Sequence, residues 1–438
     1  MRISSCKKRI ESAVAAAAAV ALALLAPVST GAQSGALDFA AADSDTLEFV
    51  AAQSGAIDYA STLEGDPFAT EAPTNRYAAL GESWENLGLI HRDLDHPTVQ
   101  EVWLLGRYHG QNYWSEGSAG SDTGYESRRL RFGAQARLFD RLQLHAQMVA
   151  GPDLDPIYNG FTELWAMWTF RPEFSLAVGQ QKHRFTHDRN ASSRYINYLE
   201  RSRMTNMLRA DYTPAVTIQG QVGKFSYYTG VFSNATGPDM ARSFTRYDSG
   251  WSYLGAAYLD ITDRLGTDTA FLYGSYFHSE ANENATNLDV FRNGVSTAFI
   301  VTEGPYSLVT EVTLGLDFEG SNAIGLNLQP GYFITDEIQF VMRYQISGSD
   351  GSEGLLPQSR YERPAGLPPG DLYQAGYAGL NFYIARHRLK LMTGIEYSNM
   401  NGKDLWTAST MCRFYFGPHS GGAFPMNRML GRQLFAPD

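Results

Sequence analysis

From residue 100 onward, apolar and polar side chains alternate along short runs, the period-two pattern of strands whose two faces meet different surroundings. Leu130, Phe132, Ala134, Ala136 and Leu138 interleave with Arg129, Arg131, Gly133, Gln135 and Arg137. Leu142, Leu144, Ala146 and Met148 alternate with Gln143, His145 and Gln147. The dyad returns in Ile338, Phe340, Met342 and Tyr344 against Gln339, Arg343 and Gln345, and in Leu389, Leu391, Ile395 and Tyr397 against Lys390 and Glu396. One face is apolar, the other polar or charged. The pattern predicts sixteen strands, near 100–110, 127–138, 141–150, 161–170, 173–182, 214–222, 224–233, 249–260, 266–278, 289–302, 305–317, 322–334, 337–347, 373–384, 388–399 and 405–416.

A soluble β-sandwich also alternates, so the connections decide between fold classes. They fall into two kinds. Turns such as 139–141, 171–173, 223–224, 335–336 and 385–387 are short, whereas 111–126, 183–213, 234–248 and 347–372 are long and polar. Short turns on one side and long loops on the other are the arrangement of antiparallel barrels in bacterial outer membranes. The expected fold is therefore all-β, a 16-stranded antiparallel transmembrane β-barrel over 100–416. An even strand number puts both barrel ends on the periplasmic side. In the last strand Trp406, Ala408, Thr410, Cys412, Phe414 and Phe416 would face lipid, with Trp406 and Phe416 at the two aromatic girdles. Such barrels usually end on the last aromatic, so the 417–438 extension is a departure.

The N-terminal quarter changes the picture only in compartment and charge. Lys7, Lys8 and Arg9 precede an apolar core at 13–27 and the small residues Thr30, Gly31 and Ala32, a secretory signal expected to be cleaved near Ala32. After it, no apolar run reaches the length of a membrane-spanning helix. Residues 33–99 read as an acidic periplasmic spacer, flexible or partly helical, in which AQSGALDFA at 32–40 returns once as AQSGAIDYA at 52–60. Residues 1–32 hold four basic and one acidic residue, so cleavage moves the formal charge from -11 to -14. Twelve acids and two arginines lie in 33–99. An acidic total argues against nucleic acid as a partner. Only Cys412 survives cleavage, which leaves no disulfide and no thiolate metal site.

Against that acidic background one stretch reverses sign. Residues 183–214 carry Arg184, Arg189, Arg194, Arg201, Arg203 and Arg209 against Asp188, Glu200 and Asp211. A sixteen-strand barrel is wide enough for a water-filled channel whose selectivity is set by what narrows it. Arginine is always charged and offers a planar fork of donors, which suits phosphate or carboxylate. By alternation Arg107, Arg129, Arg131, Arg137 and His145 face the lumen, whereas the phase of Arg128 points to lipid unless a bulge turns it. Glu163, Glu311, Asp317 and Glu396 also face inward, which tempers any steep preference for anions.

Four motifs in order, RRLRFG at 128–133, TELW at 162–165, VGQQK at 178–182, and SSRYI at 192–196 with Leu199, Glu200 and Arg201, resemble the phosphate-selective porin O and P family. The likeness covers roughly 100–416 and is clearest from 100 to 235. It implies a trimeric, anion-conducting barrel whose third external loop folds inward. It also implies that Arg128 is a pore residue. The anion-binding or pore-lining residues expected from alternation and resemblance together are Arg107, Arg128, Arg129, Arg131, Lys182, Arg194, Arg201 and Arg203. Expected partners are outer-membrane lipid and small anionic solutes, with no cofactor.

Other readings stay open at this level. Tyr108, Tyr113, Tyr195 and Tyr198 could line a sugar path, the channel could be general, or the loop could plug a structural barrel. No nucleophile elbow, P-loop or zinc-spaced histidine set occurs. His183 and His187 lack an adjacent third metal ligand. An enzyme is not expected.

Overall fold

The computed structural model describes residues 84, 86–151, 154–208, 210–235, 247–317 and 320–418. The predicted leader, most of the acidic spacer, Arg209 and the 419–438 tail lie outside these residues. The strands are β1 (Leu89–Arg92), β2 (Val99–Gly117), β3 (Gly120–Leu138), β4 (Leu142–Val149), β5 (Phe161–Arg171), β6 (Phe174–Lys182), β7 (Tyr212–Val222), β8 (Phe225–Ser233) and β9 (Trp251–Asp260). They continue as β10 (Thr269–Ser279), β11 (Phe291–Glu303), β12 (Tyr306–Asp317), β13 (Ala323–Thr335), β14 (Ile338–Ser349), β15 (Leu372–Ala385), β16 (Leu389–Met400) and β17 (Lys403–Phe416).

From β2 to β17 each strand pairs antiparallel with the next, and β17 returns to β2, with Thr410 opposite Asn112 and Phe416 opposite Gly106. The ring is closed and has sixteen members. Closure leaves no strand edge, so every ladder N–H and C=O in the bilayer finds a partner within the sheet. Outward positions carry the apolar half of each dyad: Leu391, Ile395 and Trp406 are exposed, while Lys390, Glu396 and Thr407 beside them are buried.

Three features differ from the sequence reading. The first predicted long loop, 111–126, is strand. Val99–Gly117 and Gly120–Leu138 pair up to Gly117 opposite Gly120, with only Ser118 and Ala119 between them. Above the membrane both faces of a hairpin meet water, so the alternation that marks strands disappears while the ladder continues.

The second difference lies at the end of the spacer. β17 stops at Phe416 opposite Gly106, and β1 takes over the pairing beyond it, with Leu89 opposite Trp103 and Arg92 opposite Glu101. Leu104 N donates to Gly88 O at 2.7 Å, Gly417 N donates to Leu87 O at 3.1 Å, and the Trp84 and Phe414 rings meet edge-on at 5.4 Å. The segment before the barrel thus covers the exposed lower edge of β2. Arg92 adds an ion pair with Glu101 at 2.7 Å and lies over the Trp103 ring.

The third is a bulge that settles Arg128. His109 faces Arg129 while Gly110 faces Ser127, so Arg128 is the extra residue between two registers. A bulge re-aims a side chain. Here it lets two successive arginines, Arg128 and Arg129, line the same interior cavity.

The stretch after β6 crosses the lumen. Phe185, Met204, Met207 and Leu208 join a buried cluster with Tyr228, Phe232, Tyr258 and Phe277 from β8 to β10. Tyr198 and Leu199 join another with Val341, Tyr377, Met392 and Met411 from β14 to β17. Two one-turn helices, His187–Asn190 and Arg203–Met207, lie within it.

Gly88 tests the seam. It sits at φ 95°, and a Cβ there would lie 2.5 Å from Leu104 O. Gly88→Ala is expected to destabilise the barrel by about 1–3 kcal/mol, read from urea unfolding in detergent by tryptophan fluorescence. Gly255→Ala, where nothing lies within 4 Å, is the control expected to leave the midpoint nearly unchanged.

Candidate functional site

A loop inside a barrel must satisfy its own carbonyls away from bulk water. Cations of the far wall do this. Arg413 donates to Ile196 O and Tyr198 O, both at 2.7 Å, Lys390 donates to Ile196 O at 3.0 Å, and Arg343 donates to Glu200 O at 2.6 Å. Arg343 also pairs with Glu396 at 2.7 Å and lies over the Tyr198 ring. From β12 the Glu311 carboxylate accepts from the backbone N–H groups of His187 and Asp188 at 2.5 and 3.3 Å. Charge fixes the loop at both ends. These inward cations of the later strands are occupied by the loop backbone and hold its position.

The earlier strands face the other side of the loop, and a cavity of about 390 Å³ opens between them. β2 contributes Arg107, and β3 contributes Arg128, Arg129 and Arg131. Lys182 ends β6, and the loop supplies Arg184, Arg189 and Arg201. Arg360 reaches in from the long connection between β14 and β15. Nine cations thus meet two lining carboxylates, Glu163 and Asp211.

The cations divide by how they are engaged. Arg128 pairs with Glu200 at 2.6 Å, Arg189 with Asp211 at 2.8 Å, Arg201 with Asp188 at 3.8 Å, and Arg360 with Glu126 at 2.9 Å and Glu200 at 3.7 Å. Arg107, Arg129, Arg131 and Lys182 have no carboxylate within ion-pair distance among the described residues. They rest on neutral partners: Arg107 on Ser193 Oγ at 2.9 Å, Arg129 on His109 Nδ1 at 3.2 Å, Arg131 on the Tyr212 hydroxyl at 3.2 Å. Lys182 donates to the carbonyls of Asn190 and Ala191. Two guanidiniums lie over the Tyr212 ring, Arg131 at 5.4 Å and Arg189 at 5.3 Å from its centroid. Nε of Arg107, Arg128, Arg131, Arg189 and Arg201 is buried with no hydrogen-bond partner.

Electrostatics in the loop follow from this crowding. Burial opposes ionisation of Glu200, and Arg128 and Arg360 outweigh it, so its carboxyl is held below the ordinary carboxylate range. Burial pulls the Arg201 guanidinium down to about 10, with Asp188 opposing and Arg189 adding to the shift. Buried like charges at this density favour any anion that can replace lost hydration.

Of the eight residues expected from sequence, the structure brings six into the cavity: Arg107, Arg128, Arg129, Arg131, Lys182 and Arg201. Arg194 and Arg203 lie elsewhere. Arg194 donates to Pro418 O at 2.9 Å and stacks on Tyr415. The Arg203 N–H donates to Gln345 Oε1, and its guanidinium sits in the field of Glu362 and Arg363. Arg184 and Arg189, part of the basic stretch but not among the eight, and Arg360, which the sequence did not single out, also line the cavity, because an irregular loop gives no phase by which to aim a side chain. Tyr108, Tyr113, Tyr195 and Tyr198 are dispersed and none lines the cavity. His183 packs edge-on against Phe232 and Phe277, and His187 bonds the Tyr258 hydroxyl. No group of three His, Cys, Asp or Glu residues suited to a metal ion occurs among the described residues.

A closed sixteen-strand ring with an apolar outside and a charged, loop-crossed inside is the geometry of a channel. Residues 108–317 match the model of the phosphate-selective porin O and P family. The chain is a bacterial outer-membrane porin, and its family and fold are those of a channel. No curated protein sequence matches it. Solved structures similar to the porin include OmpT of Vibrio cholerae at 12% identity, TM-score 0.49, covering 72% of this chain and 98% of that one. OprB of Pseudomonas putida is similar at 13% identity and TM-score 0.48, covering 72% and 94%. OmpF of Salmonella typhi, in complex with daunomycin, is similar at 10% identity and TM-score 0.49, covering 72% and 98%.

The Glu200 pairing gives a pH expectation. A carboxyl whose folded pKa is depressed stabilises the fold above its unfolded value, and that contribution is lost as pH falls through the folded pKa. Loop order is therefore expected to hold between about pH 8 and 5 and to weaken below the ordinary carboxylate range of about 4. Single-channel current noise in planar bilayers across this range checks it. Glu200→Gln is expected to bring the noisy, acid-like state to neutral pH.

Proposed function

We propose that this porin passes small anions, with phosphate and related oxyanions as its preferred class, through the cavity between the β2–β6 wall and the inward loop. One observation carries the reading: Arg107, Arg129, Arg131 and Lys182 line the cavity with no carboxylate within ion-pair distance among the described residues. A guanidinium fork holds an oxyanion bidentately after partial dehydration. Several moderate sites in succession let an ion leave as readily as it arrives. Glu163 and Asp211 within the same lining keep the field from becoming a trap. The polypeptide is further proposed to lose residues 1–32 on export, to keep 33–99 mainly in the periplasm, to carry 417–438 as an extension, and to assemble as a homotrimer.

Planar-bilayer recording tests the function. Reversal potentials in a KCl gradient are expected to show anion preference, and added phosphate is expected to block chloride current. Cation preference, or no current at all, would sink the reading; the second result would favour a barrel plugged by its loop. Arg129→Ala removes a lining cation worth about 1.5–3 kcal/mol in a charged hydrogen bond, so phosphate block is expected to weaken by roughly tenfold or more. Arg203→Ala, outside the lining, is expected to leave the block unchanged.

A further inference from the structure

One cavity cation stands apart from the rest. Arg360 belongs to the 350–371 connection, whose Leu355 and Gly370 backbones bond each other at 2.8 and 3.0 Å, and which is tied to β15 by the Tyr373 hydroxyl donating to Glu362 at 2.6 Å. The connection leans on the tip of the β2–β3 hairpin: a Cβ on Gly366 would lie 2.9 Å from Ala119 O, and the Tyr361 and Tyr113 rings meet at 5.8 Å. From this seat Arg360 lines the cavity while its side chain is 33% exposed, against 5% for Arg201 and 3% for Arg128. Its two partners lie at different depths. Nε donates to both oxygens of Glu126, at 2.9 and 3.1 Å, and lies 3.7 Å from the Glu200 carboxylate that Arg128 also holds. Glu126 is 36% exposed and outside the lining, whereas Glu200 is 2% exposed. β3 pairs with β4 only over Arg131–Leu138, so the stretch of β3 that holds Glu126 rises above its neighbour. Arg360 therefore spans from solvent at the mouth to a carboxylate inside the barrel.

We propose that Arg360 is the capture residue of the passage: its guanidinium leaves Glu126 for an oxyanion arriving from outside and hands it inward to Arg129, a lining cation that rests on a neutral partner. The inference rests on the anion-conducting reading above and names where on that path recognition begins. The exchange conserves hydrogen bonds. An oxyanion presents to the guanidinium the same pair of acceptor oxygens that Glu126 presents. The released Glu126 returns to water, and an ion pair this exposed holds weakly. Arg128, buried beside Glu200, keeps that carboxylate in place throughout.

Block of chloride current by inorganic phosphate in planar bilayers reads the exchange, because event frequency gives the entry rate and event length the dwell. Phosphate is added to each side in turn. Arg360→Gln is expected to lower the entry rate about tenfold from one side only, and to leave entry from the other side unchanged. Glu126→Gln keeps every lining cation and removes the competitor, so entry from that same side is expected to rise severalfold. Glu116→Gln takes the same charge from the same hairpin at an exposed position opposite Trp406, and is expected to change entry little. Arg360→Lys is expected to restore most of the entry rate, with a shorter dwell for want of the planar fork. A merely structural clasp would make Arg360→Gln and Glu126→Gln act in the same direction, since both break one pair. That result, or Glu126→Gln matching Glu116→Gln, overturns the inference, while phosphate block of the unaltered chain keeps the anion reading intact. Absence of block and of anion preference in the unaltered chain overturns the anion reading and this inference with it.

Discussion

The structure depends on one constraint: no backbone polar group can be left unpaired where water is absent. In the wall this requires a closed ladder, and it explains why β17 must return to β2 and why β1 follows where β17 runs out. In the lumen the same constraint falls on a crossing loop that has little ladder of its own. Its carbonyls are met by Arg343, Lys390 and Arg413, and the N–H groups of its first helical turn by Glu311. Charged side chains of the wall thus do for the loop what neighbouring strands do for one another.

This division of labour gives the interior two electrostatic faces. Behind the loop, cations are spent on carbonyls and on Glu396. In front of it, Arg107, Arg129, Arg131 and Lys182 of β2, β3 and β6 rest on neutral partners, and Arg128 pairs with Glu200. The number of inward arginines therefore overstates the charge offered to a passing ion, because only those on the near side remain available. The Tyr212 ring, with two guanidiniums over it, shows how the near side tolerates its own repulsion: the negative face of an aromatic ring attracts each cation.

Much of this was legible in the sequence, and the reasons are local. Period-two alternation survives wherever one face meets lipid, so strands inside the membrane, such as Leu389–Met400, are easily read. Turn lengths fixed the sidedness and the address of the inward loop. The hairpin above the membrane was not legible, because its two faces share one solvent. Arg128 defeated a phase argument for a different reason: a bulge depends on how two strands are registered, and a single strand does not encode it. Arg194, Arg203 and Arg360 mark the same boundary within loops. All three are arginines in polar, irregular stretches, yet one holds the chain after the last strand, one faces a neighbouring carboxylate, and one reaches the cavity.

The two-ended attachment of the loop also has a mechanical side. Phe185 packs on Phe277 of β10 and Met204 lies against Gly325 of β13, while Tyr198 and Leu199 grip the wall from β14 to β17. The loop is therefore a strut across a thin cylinder. A lateral squeeze that would flatten an empty ring must first shorten this strut, and a stretch must break charged hydrogen bonds at its far end. Pore width is set by a part that the bilayer cannot reach directly, which partly insulates the passage from changes in membrane tension and thickness.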